Sequence, residues 1–122
     1  MGYDTRLYFV ERHDRAPGDP CDYGSIIAML EMGCLASTVL NLIESKRPEK
    51  PAIYIFNENR KVKRDAYDSP LSVLDPAELL KAMRYDHKRG RIPYRRLVAA
   101  IALLDALIAG DYHNLTVLAY GH

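Results

Sequence analysis

The tetrapeptide Asp75-Pro76-Ala77-Glu78 constrains this chain more tightly than any other stretch of similar length. Asp caps a helix by accepting from its first free amides. Pro suits the first helical position, where no N–H is needed, and an acid in the first turn complements the dipole. A helix therefore starts at residue 75, buries Leu79, Leu80 and Met83, and ends at Gly90. Pro93 opens a further helix to Gly110, with Leu97, Ile101, Leu104 and Ile108 spaced by three and four. Gly110 is its expected left-handed C-terminal residue.

The remaining segments are read around these two helices. Residues 3–11 are rich in aromatics and alternate loosely, Leu7 and Phe9 against Tyr8 and Val10, which predicts a strand. Residues 12–23 hold Pro, Gly and Asp and read as a loop. From 24 to 45, Ile26, Ile27, Leu30, Cys34, Leu35, Val39, Leu42 and Ile43 recur at helical spacing. This predicts a first helix capped by Asp22 or Ser25, with Gly33 as a weak point or a place of close packing. Pro48 and Pro51 close it. A strand at 52–56, a polar turn at 57–61 and a weak return arm at 62–67 make a hairpin with a cationic tip. Residues 114–122 read as a strand central to the sheet, beside the first strand or the hairpin.

The expected order is β-α-β-β-α-α-β. It describes a single α+β domain over 1–122, with a small antiparallel or mixed sheet of about four strands and three helices packed on one face. At 122 residues one core suffices. The N-terminus lacks the charged-then-apolar pattern of a signal peptide, and the longest apolar stretch, within 97–109, is broken by Asp105. A cytoplasmic protein with no membrane association is expected. With only two cysteines there is no disulfide framework. Cys34 reads as a small core residue and Cys21 as a loop residue, with a bridge between them left open.

Charge is segregated although the net is only +1. Residues 84–96 carry Arg84, Lys88, Arg89, Arg91, Arg95 and Arg96 against Asp86 alone. Residues 46–64 carry Lys46, Arg47, Lys50, Arg60, Lys61, Lys63 and Arg64 against Glu49 and Glu58. The rest of the chain is acidic, so the folded molecule is expected to present a cationic face and an anionic one. Cations at the end of the 75–90 helix suit its dipole, by about 0.3–1 kcal/mol each. Arg95 and Arg96 open the next helix, where the dipole disfavours them. A local rule broken without local gain points to function. Tyr85 and Tyr94 interleave with the arginines, and Arg and Tyr are the residue types of interface anchors. The candidate binding residues are therefore Arg84, Tyr85, Arg89, Arg91, Tyr94, Arg95 and Arg96. The bland alternative is a solvated face paired with the chain's own acids. For RKVKR (60–64) that alternative is edge-strand protection.

Catalytic patterns are absent from the sequence. His13, His87, His113 and His122 form no i, i+4 pair, the serines lack an elbow motif, and the seven glycines are scattered. Asp65 and Asp68, in DAYD, could hold Mg²⁺ for a metal-assisted phosphodiesterase only if a third ligand converges. No catalytic residues, metal or cofactor are expected.

The opening GYDTRLYFVE and the closing NLTVLAYGH resemble the termini of small accessory proteins of bacteriophages and prophages. The resemblance implies a single-domain, non-enzymatic binder acting on a host protein or defence complex, including ribonucleoprotein ones. The expectation is thus an anti-defence inhibitor class of protein, a monomer or homodimer. Nucleic-acid binding through 84–96 is the alternative, and the phosphodiesterase a third.

Overall fold

The computed structural model describes residues 4–13, 21–35, 37–49, 53–56, 60–90, 95–112 and 114–122. The first strand, β1 (Asp4–Arg12), lies at the centre of the sheet. It pairs antiparallel with β2 (Cys21–Cys34) on one side and with β6 (Leu115–Gly121) on the other. Between β2 and β6 the chain forms α1 (Ser37–Ser45), β3 (Ile53–Phe56), β4 (Arg60–Val62), β5 (Ser72–Leu74), α2 (Pro76–Arg89) and α3 (Arg95–Ala109). The six strands lie in the order β4-β3-β2-β1-β6-β5, a mixed sheet because β2 and β3 run parallel. Among the described residues the fold is α+β with three helices, as the sequence predicts.

Alternation along β1 and β6 builds two cores. Leu7, Phe9, Val117 and Ala119 point to the helical side and meet Val39 and Ile43 of α1, Leu79 and Met83 of α2, and Leu97, Ala100, Leu104 and Leu107 of α3. Each large side chain buried there contributes roughly 1.5–3 kcal/mol. On the opposite face Tyr8, Val10 and Leu118 pack with Tyr54, Phe56 and Leu71. Tyr8 and Phe56 stack at 5.7 Å between centroids although β2 separates their strands, so the sheet curls over this second cluster. The C-terminal strand is central and lies beside the first, as expected.

The expected helix over 24–45 is the largest correction. Its first half is β2, and only Ser37–Ser45 is helical. Two register shifts against β1, between Thr5 and Arg6 and between Phe9 and Val10, explain the misreading. Each bulge slips the period-two alternation by one residue, so Ile27 and Leu30 both reach the helical side although they are three residues apart, a spacing typical of a helix. Gly33 sits at one bulge with φ +66°, a left-handed conformation that glycine adopts at little cost. Cys34 is exposed rather than buried, and Cys21 belongs to the strand rather than a loop. The two thiols end a 14-residue strand, roughly 40 Å apart at the usual strand rise, so no bridge forms between them.

Smaller corrections follow from the sheet. β4 begins at Arg60, so the basic run is an edge strand rather than a hairpin tip, and its return is shorter than the expected 62–67. β5, which the sequence did not announce, adds a further strand beside β6. The left-handed residue after α3 is Asp111, at φ +55°, not Gly110. Ile108 is exposed, and Leu107 takes its place in the core. The best-marked boundary stands. Asp75 Oδ2 accepts from the Glu78 amide at 3.0 Å, Pro76 opens α2 and Gly90 caps its end.

Candidate functional site

The outer surface of α2 follows from its amphipathic pattern: Leu79, Leu80 and Met83 face inward, leaving Lys81, Arg84, Tyr85, Lys88 and Arg89 outside. Arg84 reaches sideways to α3, where its Nη2 lies 2.6 Å from Asp105 Oδ1. Tyr85 turns the other way, onto a groove between α1 and α2 of about 600 Å³, lined also by Leu42 and Ala82. Arg89, one turn on, places its guanidinium 5.5 Å from the centroid of the Tyr85 ring and donates from Nη1 to the Tyr85 hydroxyl at 3.0 Å. This cation–π contact holds an exposed aromatic and an exposed cation together. Arg95 and Arg96 are exposed in the first turn of α3, with no ion-pair partner among the described residues. Arg91 and Tyr94 lie outside the described residues.

The two basic segments do not merge into one cationic face among the described residues. Lys46 pairs with Glu78 at 3.4 Å, at the start of α2, roughly 16 Å along the helix from Arg89 at its 1.5 Å rise. Arg47 lies 3.9 Å from Glu44, and Arg64 lies 3.6 Å from Asp68. β4 is at the far edge of the sheet, fitting the edge-protection reading of RKVKR. Asp86, the one acid in the 84–96 segment, does not neutralise its neighbours. It is buried, and its Oδ2 accepts from the Val39 amide at 3.0 Å, capping the start of α1.

No family model, curated protein or solved structure matches this chain. Its chemistry is therefore read from its own geometry. Asp65 is buried, and its carboxylate accepts from the amides of Tyr67 and Ser69 through Oδ1 and of Gly121 through Oδ2. It locks a turn onto β6, while the Asp68 side chain points outward to Arg64. The two do not converge, and no group of three or more His, Cys, Asp or Glu among the described residues could hold a metal.

The sequence did not signal a polar cluster at one end of β1, because its members come from three strands. Glu31 accepts from Arg6 Nε through Oε1 and lies 2.7 Å through Oε2 from His122 Nε2. Arg6 also donates to the Tyr8 hydroxyl at 3.3 Å and lies over the Tyr120 ring at 5.8 Å. Desolvation works to raise the Glu31 pKa, but hydrogen bonds and charge from Arg6 and His122 prevail and hold it below its ordinary range. Hydrogen bonds to Tyr8 and then Glu31 push that of Arg6 up. At the other end of β1, Arg12 Nη2 holds buried Asp22 at 2.7 Å. Burial, with the nearby Asp22 charge, raises the Tyr54 phenol there, partly offset by Arg12. Both clusters tie strands together.

Proposed function

We propose that this chain is a small, non-enzymatic binding protein that docks through the outer surface of α2 onto an acidic patch of a protein partner. The Tyr85–Arg89 pair carries this reading. Tyr85 is 50% exposed at the rim of an apolar groove, and its ring is fixed by the guanidinium above it. An aromatic already held in place loses little freedom on binding, and Tyr and Arg are the anchors that dominate interface energetics. Exposed Lys81 and Lys88 beside them favour an acidic partner over a basic one. The resemblance of the termini to phage accessory proteins makes a bacterial host complex, ribonucleoproteins included, the first place to seek it.

The test is capture from a nuclease-treated bacterial lysate by the wild-type chain and by a Tyr85→Ala/Arg89→Glu variant. Both side chains are exposed, so the variant is expected to stay folded, its thermal midpoint lowered modestly because the end of α2 loses a cation and gains an acid, while the captured partner is lost. Capture of the same partner by the variant sinks the reading. Direct nucleic-acid binding is the weaker reading, because Arg84 is already paired with Asp105 within the chain. A partner that vanishes on nuclease treatment, with affinity falling steeply in salt, would favour it.

A further inference from the structure

α3 is apolar almost all the way round, RRLVAAIALLDALIA, although only one side of it is covered. Leu97, Ala100, Leu104 and Leu107 face the core. The opposite side shows Val98, Ala99, Ala102, Ala106 and Ala109 to solvent, all exposed, with Val98 at 44%. A surface helix normally carries charged and polar groups on its outer side. Here the charges stand at one end and the margin. Arg95 and Arg96 begin the helix, and Asp105 lies toward α2, where Arg84 meets it. Within its own helix this arrangement is inverted, with no acid in the first turn and no base in the last.

We propose that this outward face of α3 seats a second copy of the chain, packed antiparallel about a two-fold axis close to Ala102. Arg95, Ala102 and Ala109 recur every seven residues on that face, with Val98/Ala99 and Asp105/Ala106 between them. About an axis at Ala102, Arg95 of one copy meets Ala109 of the other, Val98 meets Ala106, and Ala102 meets itself. Such an isologous pair sets the start of each helix beside the end of the other. Arg95 then comes against the last turn of its twin, where the terminal carbonyls carry partial negative charge. The cation misplaced in its own helix is correctly placed beside its twin. The alanines keep the seam narrow enough for close approach of the two helices. This face is distinct from the Tyr85 groove, so the two proposals stand or fall separately.

Sedimentation over a broad concentration range tests the association, with Ala102→Glu as the disrupting variant. Glu is a good helix former at an exposed site, yet it sets two carboxylates face to face at the axis. Circular dichroism checks that the variant stays folded. The expected result is a wild-type dimer and a folded, monomeric variant. Orientation is read by cross-linking in a Cys21→Ser/Cys34→Ser background. A mixture of Arg95→Cys and Ala109→Cys chains should form a mixed disulfide on mild oxidation, while neither alone should self-link. A wild type that stays monomeric at every concentration, or a dimer that Ala102→Glu leaves intact, overturns the proposal. Self-linking of Arg95→Cys alone overturns the antiparallel arrangement. Loss of partner capture by the Tyr85→Ala/Arg89→Glu variant with the dimer intact separates this seam from the docking site.

Discussion

Glu31 shows what a single residue contributes when three strands converge on it. Arg6 on β1 and His122 beyond β6 both contact its carboxylate, and the Tyr8 hydroxyl and the Tyr120 ring surround Arg6. Because the folded carboxyl is more acidic than the unfolded one, its contribution is complete above the ordinary value of 4.5 and fades as pH falls below it. The side chain is 39% exposed, so solvent screens the gain and the effect is modest. Glu31→Gln should therefore lower the thermal midpoint by a few degrees at neutral pH, and the two curves should converge in acid. Midpoints measured from pH 7 to pH 3 check this, and a constant gap throughout would show that the carboxylate charge is not the cause. Nothing local in the sequence could announce the cluster. Glu31 falls within a stretch whose spacing reads as helix, and its partners lie 25 and 91 positions away.

At the scale of the element, β2 carries most of the difference between expectation and structure. Strands are recognised by strict alternation, and two bulges destroy it over these 14 residues. Where local chemistry decides, the reading succeeds: the Asp75 cap, Pro76 and Gly90 bound α2 as expected because capping depends on neighbours in sequence. Where register decides, it does not. The bulged strand also depends on close approach at Gly24. A Cβ there would lie 2.4 Å from Val10 Cγ1 and 3.2 Å from the Glu11 carbonyl oxygen. Val10 is buried and branched next to the backbone, so it cannot swing aside. Gly24→Ala should then push β1 and β2 apart at this point and cost about 1–3 kcal/mol, as overpacking does. Urea unfolding measures it. A substitution without cost would mean that the two strands separate more freely than their pairing implies.

For the whole molecule, the sheet order decides where stability resides. β1 and β6 have a paired strand on each side, helices over one face and the aromatic cluster over the other. β4 is three residues long, paired on one side only among the described residues, and connected to the rest through four-residue β3. The sequence disclosed half of this contrast, since the apolar run of the last strand marked it as central. The edge position of β4 depended on where β2 runs, which the bulges concealed. Opening a central strand exposes both cores at once, so its amides exchange only through global unfolding, whereas an edge strand can detach alone. Hydrogen exchange should accordingly find the slowest amides in Leu7–Val10 and Val117–Ala119, protected to the free energy of complete unfolding, on the order of 5–15 kcal/mol. Those of β4 should exchange faster by orders of magnitude, and with weak dependence on denaturant because little surface is exposed when it leaves. Equal protection in β4 and β1 would mean that the curl joins both faces into one cooperative unit. The Tyr8–Phe56 stack would then be the contact to weaken first, because it connects β3 to the central strand.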